Sequence, residues 1–152
     1  MGQQQLLLLV LATVIVGLAT VAGIQAFEQG SVRANQDALT QTSIKIATDI
    51  QAHLQEPEQF GGAGYDSWKS GISPSDVSFS DLGYSSSGGT YSTTDGDCEI
   101  VAAGSAATST APSSKSSNSN QILVNCTSNE NNVTVGISGF DDDGINSVQE
   151  TN

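Results

Sequence analysis

Few residues in this 152-residue chain are of types that do chemistry, and their spacing decides what they could do. The two cysteines, Cys98 and Cys126, lie in the C-terminal half. An even count in a chain with an export-type apolar segment points to one disulfide formed in an oxidising compartment. The alternative is a pair of buried thiols. His53 is the only histidine and lies near the end of a helical stretch, where a packing or surface role is the expectation. The stretch FDDDGINSVQE places Asp141, Asp143, Ser147 and Glu150 at the third, fifth, ninth and twelfth positions of a calcium loop whose sixth is Gly144. Its first position is Gly139, which has no side-chain ligand, and no helices flank it, so a solvated acidic turn is the competing reading. Asn125-Cys126-Thr127 and Asn132-Val133-Thr134 fit the N-glycosylation pattern. No base, nucleophile and orienting group come together, so no enzymatic activity, cofactor or resident metal is expected.

Charge narrows the classes further. The formal net charge is -12, with 4 Lys and Arg against 16 Asp and Glu. Phosphate backbones are bound by cations that displace counterions, and Arg33, Lys45, Lys69 and Lys115 are scattered, so no nucleic-acid binding is expected of the subunit. Low Lys with abundant Ser, Thr, Asn and Asp describes either a salt-adapted, halophilic exterior or an ordinary acidic secreted surface.

The longest signal is at the start. Leu6 to Phe27 carry no charge over 22 residues, which as helix span about 33 Å, the thickness of a bilayer core. The run exceeds a signal-peptide core and lacks a basic flank before it. It could serve as a simple membrane anchor. Its pattern also suits helix-on-helix packing. Thr13 and Gly17, Ala19 and Gly23, and Ala22 and Ala26 are each four apart, and small residues at that spacing let backbones approach closely. Gln5, Leu6, Val10 and Phe27 complete the set expected in a packed core.

From Glu28 onward the pattern becomes amphipathic. Val32, Leu39 and Ile46 are seven apart, and Ile50 and Leu54 extend the stripe by fours, with Ala38 and Ala47 beside it. Arg33, Asn35, Gln36, Asp37, Gln41, Lys45 and Asp49 form the opposite, polar face. Glu56-Pro57 ends the helix. Gly23 and Gly30 are points where it can bend, each costing about 1 kcal/mol relative to Ala.

Residues 56–152 read as a β-rich head. Pro57 to Ser75 is a Gly-, Pro- and Ser-rich loop anchored by Phe60, Tyr65 and Trp68, which are expected to pack over the amphipathic helix. Strands are expected at Val77–Ser80, Gly89–Thr93, Cys98–Ala103, Gln121–Thr127 and Asn132–Ser138. Opposed residues of an antiparallel pair keep a constant index sum. Setting Cys98 opposite Cys126 brings Ile100 to Val124 and Ala102 to Ile122 on one face. Slipping the register by one residue would spoil both the cysteines and the apolar set. The Ser/Thr-rich loop 104–120 is expected at the surface, either unmodified and disordered or carrying O-glycans at Thr108, Ser109 or Thr110.

An apolar half-helix, an amphipathic half-helix and a small β head with two late cysteines resemble a type IV pilin or pilin-like subunit. The resemblance is carried by about residues 1–55. It implies an α+β fold, with segment 1–27 a membrane anchor before assembly and filament core after, 28–55 the amphipathic helix, and 56–152 the head. It implies self-assembly into an extracellular helical homopolymer, with inner-membrane assembly machinery and a prepilin peptidase as partners. Attachment, motility and DNA uptake are all roles such filaments serve. Two features depart from the pattern. No basic leader is visible before the apolar run, so either Met1 is the processed terminus or the leader is minimal. The family's usual glutamate at the fifth mature position would here be Gln5, whose amide can donate and accept between subunits. Ala22 stands where a proline is frequent, which favours a more continuous helix.

Overall fold

A computed structural model describes residues 2–68, 72–102, 121–129, 131–140 and 144–151. The fold is α+β, with one long helix, α1 (Gly2–Gln55), and an antiparallel sheet. The chain divides into two compact units, residues 1–34 and 35–152.

The first unit is helix alone. No proline interrupts it, and the helix is unbroken through Gly23 and Gly30. Thr13 and Thr20 donate their hydroxyls to the carbonyls of Val10 at 2.9 Å and Gly17 at 2.8 Å. The hydroxyl protons are therefore satisfied within the helix, which lowers the desolvation cost if another chain covers them.

The second unit is built on residues 35–55 of α1. Leu39, Ile46, Ile50 and Leu54 are fully buried, as the stripe requires, and each contributes about 1.5–3 kcal/mol of burial. Beyond Gln55 the loop turns back over the helix end. Ala63, Gly64 and Tyr65 donate their backbone N–H groups to the carbonyls of His53, Glu56 and Leu54 at 2.8–3.1 Å, satisfying acceptors that the last turn leaves open. Gly62 makes this return possible, since a Cβ there would stand 2.2 Å from the Glu56 carbonyl oxygen.

Among the described residues the sheet is a five-stranded meander in the order β1 (Thr90–Ser92), β2 (Asp97–Ala102), β3 (Ile122–Thr127), β4 (Asn131–Ile137) and β5 (Ile145–Thr151). The β2–β3 register is the expected one: Cys98 faces Cys126, Ile100 faces Val124 and Ala102 faces Ile122. Cys98 and Cys126 form a disulfide with their Cα atoms 4.1 Å apart. Ile122, Val124, Val133, Val135 and Ile137 alternate onto the face that shares a core with α1.

Two expectations about the strands are corrected. Val77–Ser80 is not a strand, although its alternation is real: Val77 and Phe79 are buried. Local bonds take the backbone groups a ladder would need: Asp81 accepts from the Ser78 N–H at 3.0 Å and its hydroxyl at 2.6 Å, and the Tyr84 N–H donates to the Phe79 carbonyl at 2.8 Å. Such bonds favour turns over sheet. The second correction is β5, which the acidic-turn reading had covered. Its seven residues pair along the whole of β4, from Asn131 opposite Thr151 to Ile137 opposite Ile145.

Candidate functional site: an exposed apolar helix surface

Every side chain from Gly2 to Ser31 is exposed. Leu6 is 66 % exposed, Leu18 68 % and Phe27 85 %. Soluble monomers rarely present apolar surface this continuous, and larger patches mark contact with protein or membrane. Gln5, Leu6, Val10, Thr13, Gly17, Ala19, Gly23, Ala26 and Phe27 all belong to this surface. No atom lies within 4 Å of where a Cβ would stand on Gly17 or Gly23, so another backbone can approach there. The helix is long and apolar enough to cross a membrane, and this length is equally compatible with an anchor or a signal sequence.

The residues expected to join helix and head fall into place within the second unit, except Val32, which belongs to the first unit and is half-buried. Leu39, Ile46, Ile50 and Leu54 are in the core, together with Ala47 and the buried Ser43. Trp68 is half-buried and meets Phe140 edge-on at 5.3 Å. Phe60, by contrast, is 77 % exposed and anchors nothing.

Three polar helix residues make contacts that periodicity did not reveal. Asn35 donates to the Asp95 carbonyl at 2.9 Å, and its side-chain oxygen accepts from the Ser128 hydroxyl at 2.8 Å and the Asn131 amide at 3.1 Å. Gln51 donates to the Gly139 carbonyl at 2.6 Å. Asp49 accepts from the Tyr84 hydroxyl. All three were grouped with or lie near the solvent-facing residues, and the only signal for them would have been their partners, which lie 35 or more residues away. Asn35→Ala leaves donors of Ser128 and Asn131 to find new acceptors at a partly buried site, at a cost of up to about 1–3 kcal/mol per unsatisfied group. A lower urea midpoint for the head, with its unfolding slope unchanged, is the expected reading.

Tyr84 sits in a cluster with Phe79 and Tyr91, its ring centroids 6.2 and 4.8 Å from theirs, and the Lys45 ammonium lies 5.5 Å over its ring. Burial, and then the hydrogen bond to the Asp49 carboxylate, hold the Tyr84 phenol well above its ordinary value of 10.0. A raised folded value means the stabilisation is whole below pH 10.0 and is lost as pH climbs from there towards the folded value. Alkaline titration followed by near-UV circular dichroism should show the head weakening in that window. Tyr84→Phe should be less stable at neutral pH and should lose part of the alkaline dependence. Asp81 behaves oppositely. Its bonds from Ser78 lower its carboxyl below 3.8, so any contribution is lost only as pH falls through that region.

The remaining candidates separate clearly. Ser147 and Glu150 lie on β5, paired opposite Val135 and Asn132, in an extended ladder instead of a loop wrapped around an ion. Asp141 and Asp143 lie outside the described residues, and among those described no group of three or more metal-ligating side chains converges. Asn132 is 3 % exposed within β4 and Asn125 2 % exposed within β3, so neither sequon offers an accessible acceptor in the folded head. A strand interior hides what a surface loop would present. Thr108, Ser109 and Thr110 also lie outside the described residues. Comparison of the chain with protein-family models, with curated proteins and with solved structures finds no match in any of the three.

Proposed function

We propose that this chain is a structural subunit that polymerises through its N-terminal helix into an extracellular filament of the type IV pilus kind. The observation that carries the reading is the uncharged, exposed helix surface from Leu6 to Phe27 on a chain whose second unit has its own buried core. A segment that first rests in a membrane and later leaves it must be held by hydrophobicity alone. Exchanging lipid for sister helices costs little, because both surroundings are apolar. A charged flank inside such a bundle would be expensive to desolvate. The reading implies an inner-membrane assembly machine and a processing peptidase as transient partners, and residence in the cell membrane before assembly.

Electron microscopy of material sheared from cells, with mass spectrometry of its subunit, tests this. Filaments in which this chain dominates support a major subunit. Filaments in which it is a trace component favour a minor, pseudopilin-like role. The bilayer-length apolar run favours one other reading, a single-pass anchored protein displaying the head for binding. On that reading the chain stays with membranes on shearing and is released by detergent as a monomer.

A further inference from the structure

The net charge of this molecule is confined to one of its two units. Of the 16 acidic residues only Glu28 precedes residue 35, and of the 4 basic ones only Arg33 does. The helical unit is therefore balanced, and the whole net charge of -12 rides on the second unit, residues 35–152, which holds the head. That unit's basic residues are Lys45, Lys69 and Lys115, and Lys45 is engaged over the Tyr84 ring. Asp37, Glu56, Glu58, Asp66 and Asp97 are exposed. Copies of this head cannot neutralise one another by ion pairing, because the chain holds too few cations to answer its carboxylates.

We propose that assembly of this chain is switched by the concentration of inorganic cations, which must screen the heads before the helices can pack. The inference rests on the filament reading and adds its regulation. Subunits whose helices pack side by side at about 8–10 Å hold the heads they carry at high local concentration. A domain of this size has a radius of gyration of roughly 13 Å. At about 0.01 M salt the screening length is about 30 Å, so every charge on one head is felt across its neighbour. At about 1 M it is about 3 Å, and only touching charges interact. The apolar helices gain from packing at either salt, so salt decides whether repulsion between heads prevents it. Divalent cations neutralise carboxylates more effectively and act at lower concentration.

Purified filaments are dialysed against NaCl from about 0.01 M to about 1 M, a span over which the screening length falls about tenfold. The pelletable fraction and the near-UV circular dichroism of the head are read at each step. The expected result is a drop of about tenfold or more in pelletable subunit at the low end, with the head's spectrum unchanged. MgCl2 should restore it at lower concentration than NaCl. The variant carrying Asp37→Asn, Glu56→Gln, Glu58→Gln and Asp66→Asn should pellet at lower salt than the parent. An equal pelletable fraction at every salt would overturn the proposal, as would the same threshold in the variant. Loss of the head's spectrum at the dissolving salt would also overturn it, since the effect would then lie in folding. Absence of filaments at every salt would instead count against the filament reading itself.

Discussion

Gly17→Glu is expected to abolish filaments while leaving the head folded and the chain synthesised at normal level. Gly17 lies on the exposed helix with no atom within 4 Å of a Cβ built there, so the new side chain disturbs nothing in the isolated subunit. The head's core draws its helix residues from Leu39 onward and does not sense the change. In a packed bundle the carboxylate must lose its water, at a cost of several kcal/mol per ion. Gly17→Leu sharpens the test. It keeps the segment apolar, so a lipid anchor tolerates it, but it blocks close approach of a neighbouring backbone. The filament reading expects Gly17→Leu to reduce pelletable subunit strongly with membrane retention intact. Normal filament yield from Gly17→Glu, measured by shearing and sedimentation, would remove the main support for assembly through this surface.

Removing the disulfide should weaken the head far more than the filament. Cys98 and Cys126 are fully buried in adjacent strands and close a loop of 28 residues. In the chain-entropy model such a loop contributes about 3–4 kcal/mol. A domain of this size is stable by about 5–15 kcal/mol in total, so the loss is a large share of it. For the Cys98→Ala, Cys126→Ala double variant a fall in the head's melting temperature of roughly 10–20 °C is expected. Residues 2–34 contain no cysteine, so filaments should still sediment after reduction at ambient temperature. Filaments that dissolve on thiol treatment alone would place the head, and not the helix, at the main contact between subunits.

How much of this was legible beforehand depended on whether the signal was local. Leu39, Ile46, Ile50 and Leu54 announced the buried helix face because a helix repeats its geometry every few residues. The β2–β3 register could be read because two independent requirements, the cysteine pair and the apolar alternation, agreed on one alignment. The uncharged run from Leu6 to Phe27 was plain from residue type alone. The misses have a shared cause. At Val77–Ser80 the apolar alternation was correct, but Asp81 captured the Ser78 backbone donor and made a turn. β5 is largely polar along INSVQET, and its strand exists because β4 offers a partner edge. Asn35 and Asp49 looked solvent-facing because a polar side chain carries no mark of a partner far along the chain. Asn132 matched a surface sequon yet lies inside the sheet. Hydrophobic periodicity is a property of neighbours in sequence, and it settles which surfaces must be covered. Hydrogen-bond partners and strand edges are properties of neighbours in space, and they exist only once the chain has folded.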